Sequence, residues 1–335
     1  MAKAEPSLSM RRLRLTTAVR ELVREVRVSA EQFIQPHFVV EGLAQREPVT
    51  GMPGVFRETP ASLLEQLEAD LAAGVNKIIL FGVPAGKALH DFDFSFTAAQ
   101  VRAVKEKFGD DIWVAVDVCL CSSTQHGQCG IVNEAGDHVE NAATVHELAR
   151  AALEYAQAGA DCVAPSDMMD GRVAAIRSTL DEAGLDHVLL MSYAAKFHSG
   201  FYGPFREAAD SAPGDSIRLR DRATYQIDPA NPADAFASAA RDAGEGADIL
   251  MVKPGLPYLD VLAKLSASID THPWAVYEVS GEYAAIEALA EQGLADPERA
   301  HVEAWIAFVR AGARIIISYG ARHAQDWLDR YYGRT

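Results

Sequence analysis

The chain has 335 residues, 49% hydrophobic and 23% charged, the proportions of an ordinary globular enzyme and not of a disordered or fibrous chain. Lysine and arginine total 31 against 47 aspartates and glutamates, a net charge of −16. So acidic a surface repels polyanions, which argues against nucleic acid or an anionic membrane as partner but leaves room for a small anion on a local arginine.

The N-terminal stretch MAKAEPSLSMRRLRL carries Arg11, Arg12 and Arg14 but no apolar run, so it reads poorly as a secretion signal. Its arginines and serines also fit a transit peptide; the plainer reading is an arm over residues 1–30 that binds acidic surface, including that of a neighbouring subunit. No uninterrupted run of about 18 apolar residues is present to span a bilayer. A cytoplasmic protein with reduced cysteines is expected. No Pro-, Gly- or Ser-rich linker divides residues 31–335, which read as one domain.

From Phe33 onward, short apolar and β-branched runs alternate with helix-like segments. Strands are predicted at Phe33–Val40, Lys77–Val83, Ile112–Leu120, Cys162–Asp167, Val188–Tyr193, Ile249–Pro254, Trp274–Ser280 and Arg314–Gly320. Their unbroken apolar character fits parallel strands covered on both faces. Between them, Ala61–Ala73, Asn141–Ala158, Gly171–Ala183 and Ala233–Ala243 have helical spacing, and Gly74, Gly159, Gly184 and Gly312 supply the left-handed helix end. Eight strands with intervening helices predict an α/β fold, a (β/α)8 TIM barrel. No G-x-G-x-x-G follows the first strand, so a dinucleotide fold has no support.

Chemistry in such barrels sits at the C-terminal ends of the strands. The polar residues predicted there are Asp117, Ser166, Asp167, Lys196, Lys253, Ser280 and Tyr319. Lys253, in ILMVKPG, is reached through a buried strand, where desolvation depresses an amine's pKa and frees it to attack a carbonyl. The alternative is a barrel lysine paired with a carboxylate. Lys196, in SYAAKF, favours the Schiff-base reading, because a second ammonium nearby helps keep one of the two neutral.

Three of the four cysteines stand in DVCLCSSTQHGQCG: Cys119, Cys121 and Cys129. If the strand continues, the first two share a face. Three thiolates make a zinc site with a fourth position open to water or substrate, and His126 as fourth ligand would close it. Buried thiols acting as small hydrophobes are the alternative, which suits Cys162 in its apolar strand. Between the lysines, FYGPFREAADSAPGDSIRLRDRATYQ combines Tyr202 and Phe205 with Arg206, Arg218, Arg220 and Arg222. It reads as a lid whose arginines suit a substrate carboxylate, one or two of them touching ligand and the rest offsetting the acidity.

Taken together, DVCLC…HGQCG, VAPSDMMDGR, MSYAAKF…FYGPFR, GADILMVKPGLPYLD and YEVSGEY resemble the porphobilinogen synthase (5-aminolevulinate dehydratase) family from about Arg11 to the C-terminus. The resemblance implies a lyase of tetrapyrrole (haem) biosynthesis on a (β/α)8 barrel, condensing two 5-aminolevulinate molecules with loss of two waters. It implies that Lys253 forms a Schiff base with the first substrate and that Lys196 engages the second. Cys119, Cys121 and Cys129 match the ligands of its zinc-dependent subgroup. Arg206, Arg222 and Gln226 resemble the groups that hold one carboxylate, and Ser280 and Tyr319 those that hold the other. Asp117 and Ser166 match polar residues near the first substrate's amino group. A homo-oligomer, commonly an octamer with wrapping arms, is implied as well.

The chain departs from that pattern in four places. Ser122-Ser123 replaces an aromatic in the cysteine loop, Ala142 replaces an acid, and KALHDFDFSF lacks the usual K-D-x-x-G-S. Fifteen residues before Lys253, where many bacterial relatives carry a glutamate for an allosteric magnesium, stands Ser238, which counts against magnesium activation. None of these changes removes a reacting group. They leave a paralogous Schiff-base lyase or aldolase for a related amino-keto acid as the competing reading.

Overall fold

In the computed structural model, which describes residues 10–214 and 216–334, ten strands form one sheet. They are β1 (Phe33–Val40), β2 (Glu47–Pro48), β3 (Phe56–Glu58), β4 (Lys77–Val83), β5 (Trp113–Val118), β6 (Cys162–Pro165), β7 (Leu189–Lys196), β8 (Ile249–Lys253), β9 (Trp274–Tyr277) and β10 (Ile315–Ile317). β1 and β4 to β10 run parallel in sequential order, and Phe33 pairing with Ile316 returns β10 to β1 and closes the barrel. β2 and β3 form a short antiparallel appendage on β1 that the alternation of the sequence does not reveal.

Every predicted strand is therefore present, several of them trimmed. β5, β6, β8, β9 and β10 stop short of the predicted ends, because the residues that follow them, among them Ser166, Pro254, Glu278 and Ser318, already belong to the loops at the barrel mouth. β7 instead runs three residues further, so Lys196 ends a strand and does not follow it. Ser280 opens the helix Ser280–Glu291 and does not end a strand. The predicted helices appear as Pro60–Ala72, Asn141–Gln157, Arg172–Glu182 and Pro232–Gly244. Gly74, Gly159, Gly184 and Gly312 take φ of +87°, +103°, +72° and +108°, the left-handed turn that brings each helix back toward the next strand.

Alternation along the strands divides the core into two layers. Ile34, Phe38, Ile79, Phe81, Ala115, Cys162, Ala164, Met191, Tyr193, Met251 and Tyr277 fill the barrel. Leu80, Val114, Val116, Val163, Leu190, Leu250 and Val252 face outward against the helices. Cys162 is thus a buried small hydrophobe, and burial pushes its thiol pKa up. Before β1, Met10–Arg14 and the helix Thr17–Leu22 bury none of their residues. Residues 1–9 of the expected arm lie outside the described residues. Among the described residues, no helix is long and apolar enough to cross a membrane.

Behind the last two strands, His301 is fully buried between Glu278 at 3.0 Å and Glu287 at 3.1 Å. Glu278 also accepts from Trp305 Nε1 at 3.0 Å and Ser318 Oγ at 2.5 Å. Burial opposes charge on the imidazole, but the two carboxylates outweigh it and raise its pKa to about 9. A folded-state value above the ordinary 6.5 means that the charged ring stabilises the fold. That contribution is complete below the ordinary value and is lost as pH rises through about 9. His301→Gln should lower stability at neutral pH by about 3 kcal/mol. Melting curves should show that the variant lacks much of the decline the parent suffers between neutral and pH ~9.5.

Candidate active site

The C-terminal mouth of the barrel brings the two lysines together through an irregularity in β7. Ser192 pairs with Leu250, but Ala195 pairs with Val252, so β7 carries one extra residue against β8. Strict alternation from inward Tyr193 would turn Lys196 outward. The bulge instead puts both Ala194 and Ala195 in the outer layer, and Lys196 comes into register with Lys253. The Ala-Ala of SYAAKF is what makes this affordable, since two small side chains fit successively beneath the helices.

Lys253 Nζ sits in an aromatic box. It lies 4.0 Å from the Tyr277 ring centroid, 4.9 Å from Phe205, 5.0 Å from Tyr193 and 5.5 Å from Tyr202. The side chain is 4% exposed. Burial first, then the Lys196 ammonium, lower its pKa from 10.5 to about 7, with the Asp117 carboxylate resisting. At neutral pH roughly half of such amines are free base, against roughly one in three thousand for an ordinary lysine. Lys196 Nζ donates to the Ser166 carbonyl and lies 5.5 Å from the Tyr193 ring. Asp117, inward on β5, has an unpartnered Oδ1, and burial raises its pKa against the pull of both lysines. Lys253, Lys196, Asp117 and Ser166 thus form one constellation.

Beside it, β5 ends at Val118, so Cys119 and Cys121 leave the strand in the following turn and do not extend it. The loop nevertheless returns Cys129 to them, and the three sulfurs lie within 4.8 Å of one another as free thiols. The set fits a thiophilic ion. A tetrahedral centre with metal–sulfur bonds of about 2.3 Å needs sulfurs nearly 4 Å apart. Hydrogen bonds from Cys119 and Cys121, with Arg222 nearby, hold the Cys129 thiol well below its ordinary range, so one thiolate is already favoured. Among the described residues His126 does not join the group, and its Nδ1 accepts from Gln128 N at 3.2 Å.

The lid between β7 and β8 is partly helical, with a turn at Gly200–Tyr202 and a helix at Gly203–Ala208. Phe205 packs on Phe38 and Phe81 at ring separations of 5.5 and 5.1 Å, which caps the barrel interior. Tyr202 Oη donates to the Phe197 carbonyl at 2.9 Å, and Ser280 Oγ accepts from Phe205 N at 3.0 Å. Gly281 is required here, because a Cβ would stand 2.6 Å from the Phe201 carbonyl oxygen. Arg222 donates to the Gly127 and Ser211 carbonyls at 2.9 and 2.6 Å. The Nε atoms of Arg206 and Arg222 and both amide atoms of Gln226 are buried without partners. Tyr319 Oη accepts from Tyr277 Oη at 3.2 Å. Ser280 and Tyr319 thus engage lid backbone and Tyr277 respectively, not each other.

Several residues escaped the sequence reading. The inward parity of β7 and β9 identifies Tyr193 and Tyr277 once the alternation is followed to the strand ends. Glu282 left no such signal. Its carboxylate accepts from Leu256, Val279 and Gly255 N at 2.5, 2.7 and 3.2 Å, tying the turn after Lys253 to the helix that begins at Ser280. At the magnesium position, Ser238 Oγ accepts from the Arg241 guanidinium at 3.1 Å, and Arg241 also pairs with Asp170, Asp242 and Glu245. A cation already neutralises these carboxylates, so the residues do not fit a magnesium ion.

Fold and site together define a barrel enzyme with two buried lysine amines at adjacent strand mouths and a thiol cluster suited to a soft metal. The chain belongs to the delta-aminolevulinic acid dehydratase family, whose model matches residues 7–327. It is 43% identical to the delta-aminolevulinic acid dehydratase of Synechococcus elongatus over 332 residues, covering 96% of this chain and 99% of that one. It is 44% identical to that of Streptomyces coelicolor over 323 residues, 94% and 96% of the two chains. The Toxoplasma gondii enzyme, whose crystal structure holds the reaction product porphobilinogen, superposes with a TM-score of 0.91 at 39% identity, over 96% of this chain and 92% of that one.

Because the Lys196 ammonium lowers the Lys253 pKa, Lys196→Met should shift it upward. The pH dependence of adduct formation at Lys253 with a small ketone and borohydride should move to higher pH in the variant. An unmoved profile would leave burial alone as the cause.

Proposed function

We propose that this protein joins two molecules of 5-aminolevulinate into porphobilinogen with loss of two waters. The observation that carries the reading is the in-register pair Lys196 and Lys253, buried at the barrel mouth with the Lys253 pKa lowered to about 7. The neutral Lys253 amine attacks the ketone carbon of the first substrate, and loss of water leaves a Schiff base. Its protonated nitrogen is an electron sink that acidifies the neighbouring carbon. The aromatic box excludes water while its ring faces stabilise that positive nitrogen.

Lys196 engages the second substrate, and Asp117, poised to hold or release a proton by its raised pKa, serves the first substrate's amino group together with Ser166. One carbon–carbon and one carbon–nitrogen bond form, the two ketone oxygens leave as the two waters, and both lysines are regenerated. Arg206, Arg222 and Gln226 hold one carboxylate through atoms now lacking partners, while Ser280 and Tyr319 receive the other. Tyr202 and Phe205 close over the reacting centre. Cys119, Cys121 and Cys129 would hold a zinc ion, which would supply Lewis acidity toward the second substrate's carbonyl or amine. Fixing two like molecules in one orientation supplies the entropic part of the acceleration.

The setting we infer is the cytoplasm, where free thiols persist. We assign residues 31–335 to the catalytic domain and 1–30 to an arm. The unburied segments Met10–Arg14 and Thr17–Leu22 support a homo-oligomer, an octamer by family likeness, in which arms cover neighbouring barrels.

Purified protein supplied with zinc should form pyrrole from 5-aminolevulinate, detected by its colour reaction. Borohydride with 5-aminolevulinate should trap an adduct on Lys253, and Lys253→Ala should give no pyrrole. No pyrrole from the zinc-loaded parent would overturn the assignment. A chelator that removed the zinc without slowing the reaction would overturn the metal's catalytic part alone.

A further inference from the structure

The cysteine loop and the lid are fastened together by more contacts than carboxylate binding calls for. Gly127, at φ +69°, lies so close to the lid that a Cβ would stand 2.3 Å from the Ala212 carbonyl oxygen. Gly214 N donates to the His126 carbonyl at 3.1 Å, and Arg222 donates to that of Gly127 at 2.9 Å. Gln128, fully buried, donates from Nε2 to the Leu219 carbonyl at 3.1 Å. Tyr225 Oη donates to Gln128 Oε1 at 2.6 Å and accepts from Cys129 N at 3.1 Å. Every residue from His126 to Cys129 is therefore bonded to the lid, and the lid's phenol holds the backbone of a thiol-bearing residue.

We propose that Tyr225 and Gln128 are positioning residues that couple metal binding at the three thiols to closure of the lid. The inference rests on the reading that the cysteines hold a metal ion. Three sulfurs must converge to within narrow limits for one ion, and Cys129 reaches them only from the far end of an eight-residue turn. Tyr225 fixes the backbone at that end, so an open lid leaves the third sulfur free to wander and weakens binding. Linkage makes the effect reciprocal: an ion that pins the turn also presents Gly127 and Gln128 as a rigid dock and favours the closed lid. The ion and the lid thereby assemble the site together, although no lid residue is a metal ligand. The Arg222 contact extends the coupling to substrate, since the guanidinium assigned to a carboxylate is fixed to the same turn.

The test is zinc affinity, measured by competition with a chromophoric chelator, alongside amide hydrogen exchange of residues 216–226 with and without Zn²⁺. In the parent, Zn²⁺ should slow exchange in that segment. Tyr225→Phe, which keeps the ring, should weaken zinc binding about tenfold, in the range seen when outer-shell partners of ligands are removed. It should also abolish the zinc-dependent slowing, while the metal-free protein still melts cooperatively with a melting temperature lowered by only a few degrees. Gln128→Leu breaks the network from the other side and should behave alike. The double variant should be no weaker than the poorer single, because one network is being cut twice. Should Tyr225→Phe fail to fold, Gln128→Leu carries both readouts. Parent-like zinc affinity in a folded variant, or exchange in 216–226 indifferent to zinc, overturns the coupling. Zinc affinity unchanged by Cys119→Ser, Cys121→Ser and Cys129→Ser together would remove the metal site itself, and the coupling with it. Affinity lost there but intact in Tyr225→Phe overturns the coupling alone.

Discussion

The desolvation of one ammonium group is the constraint around which the rest of this structure is arranged. A lysine inside a barrel is an unfavourable object, and the fold must either neutralise it by pairing or let it lose its proton. Here the pairing is deliberately incomplete. Asp117 sits close enough to pull the Lys253 pKa upward, but burial and the neighbouring Lys196 prevail. The extra residue in β7 adds the second of these, since without it the second ammonium would point into the helical layer and only burial would remain. A backbone irregularity of one residue therefore reinforces burial in lowering the pKa of a lysine on the next strand.

The rings around Lys253 reconcile two opposed requirements. A neutral amine is favoured by an apolar box, yet the protonated Schiff base proposed to follow would be cationic and disfavoured by one. Tyr193, Tyr277, Tyr202 and Phe205 present polarisable faces to the nitrogen at 4.0 to 5.5 Å, which tolerates positive charge without supplying a carboxylate. A formal ion pair in the same place would stabilise the ammonium and cost the nucleophile. Glu282 serves the geometry without the charge: burial raises its pKa to about 8, and it acts by gathering backbone N–H groups from the turn that follows the lysine.

Barrel and site were legible in the sequence to different depths. The eight strands could be read because each is a continuous apolar run, and the helix ends because Gly74, Gly159, Gly184 and Gly312 have one conformational purpose each. Lys253 stood out by its place at the end of such a run. Lys196 was found for its neighbourhood to Lys253, but its inward direction depends on a bulge that leaves no mark beyond two alanines. Cys119, Cys121 and Cys129 were visible as a cluster, yet their convergence is the work of a turn and of lid contacts nearly a hundred residues away. Gln128, Tyr225 and Glu282 stayed hidden for one reason: each acts on backbone groups or on a single distant partner, and neither periodicity nor local spacing records that.

The distribution of unpaired polar atoms completes the physical account. Burying a donor or acceptor without a partner costs about 1 to 3 kcal/mol, and a fold of this size keeps such losses few. Asp117 Oδ1, Tyr193 Oη, the Nε atoms of Arg206 and Arg222 and both amide atoms of Gln226 nevertheless remain unpartnered, on the strands or the lid around the mouth. A molecule bearing carboxylate, carbonyl and amine groups would give these atoms partners on binding. The two closely packed core layers and buried clusters such as Glu278–His301–Glu287 anchor the strands beneath the mouth, so that these atoms are presented on a rigid scaffold.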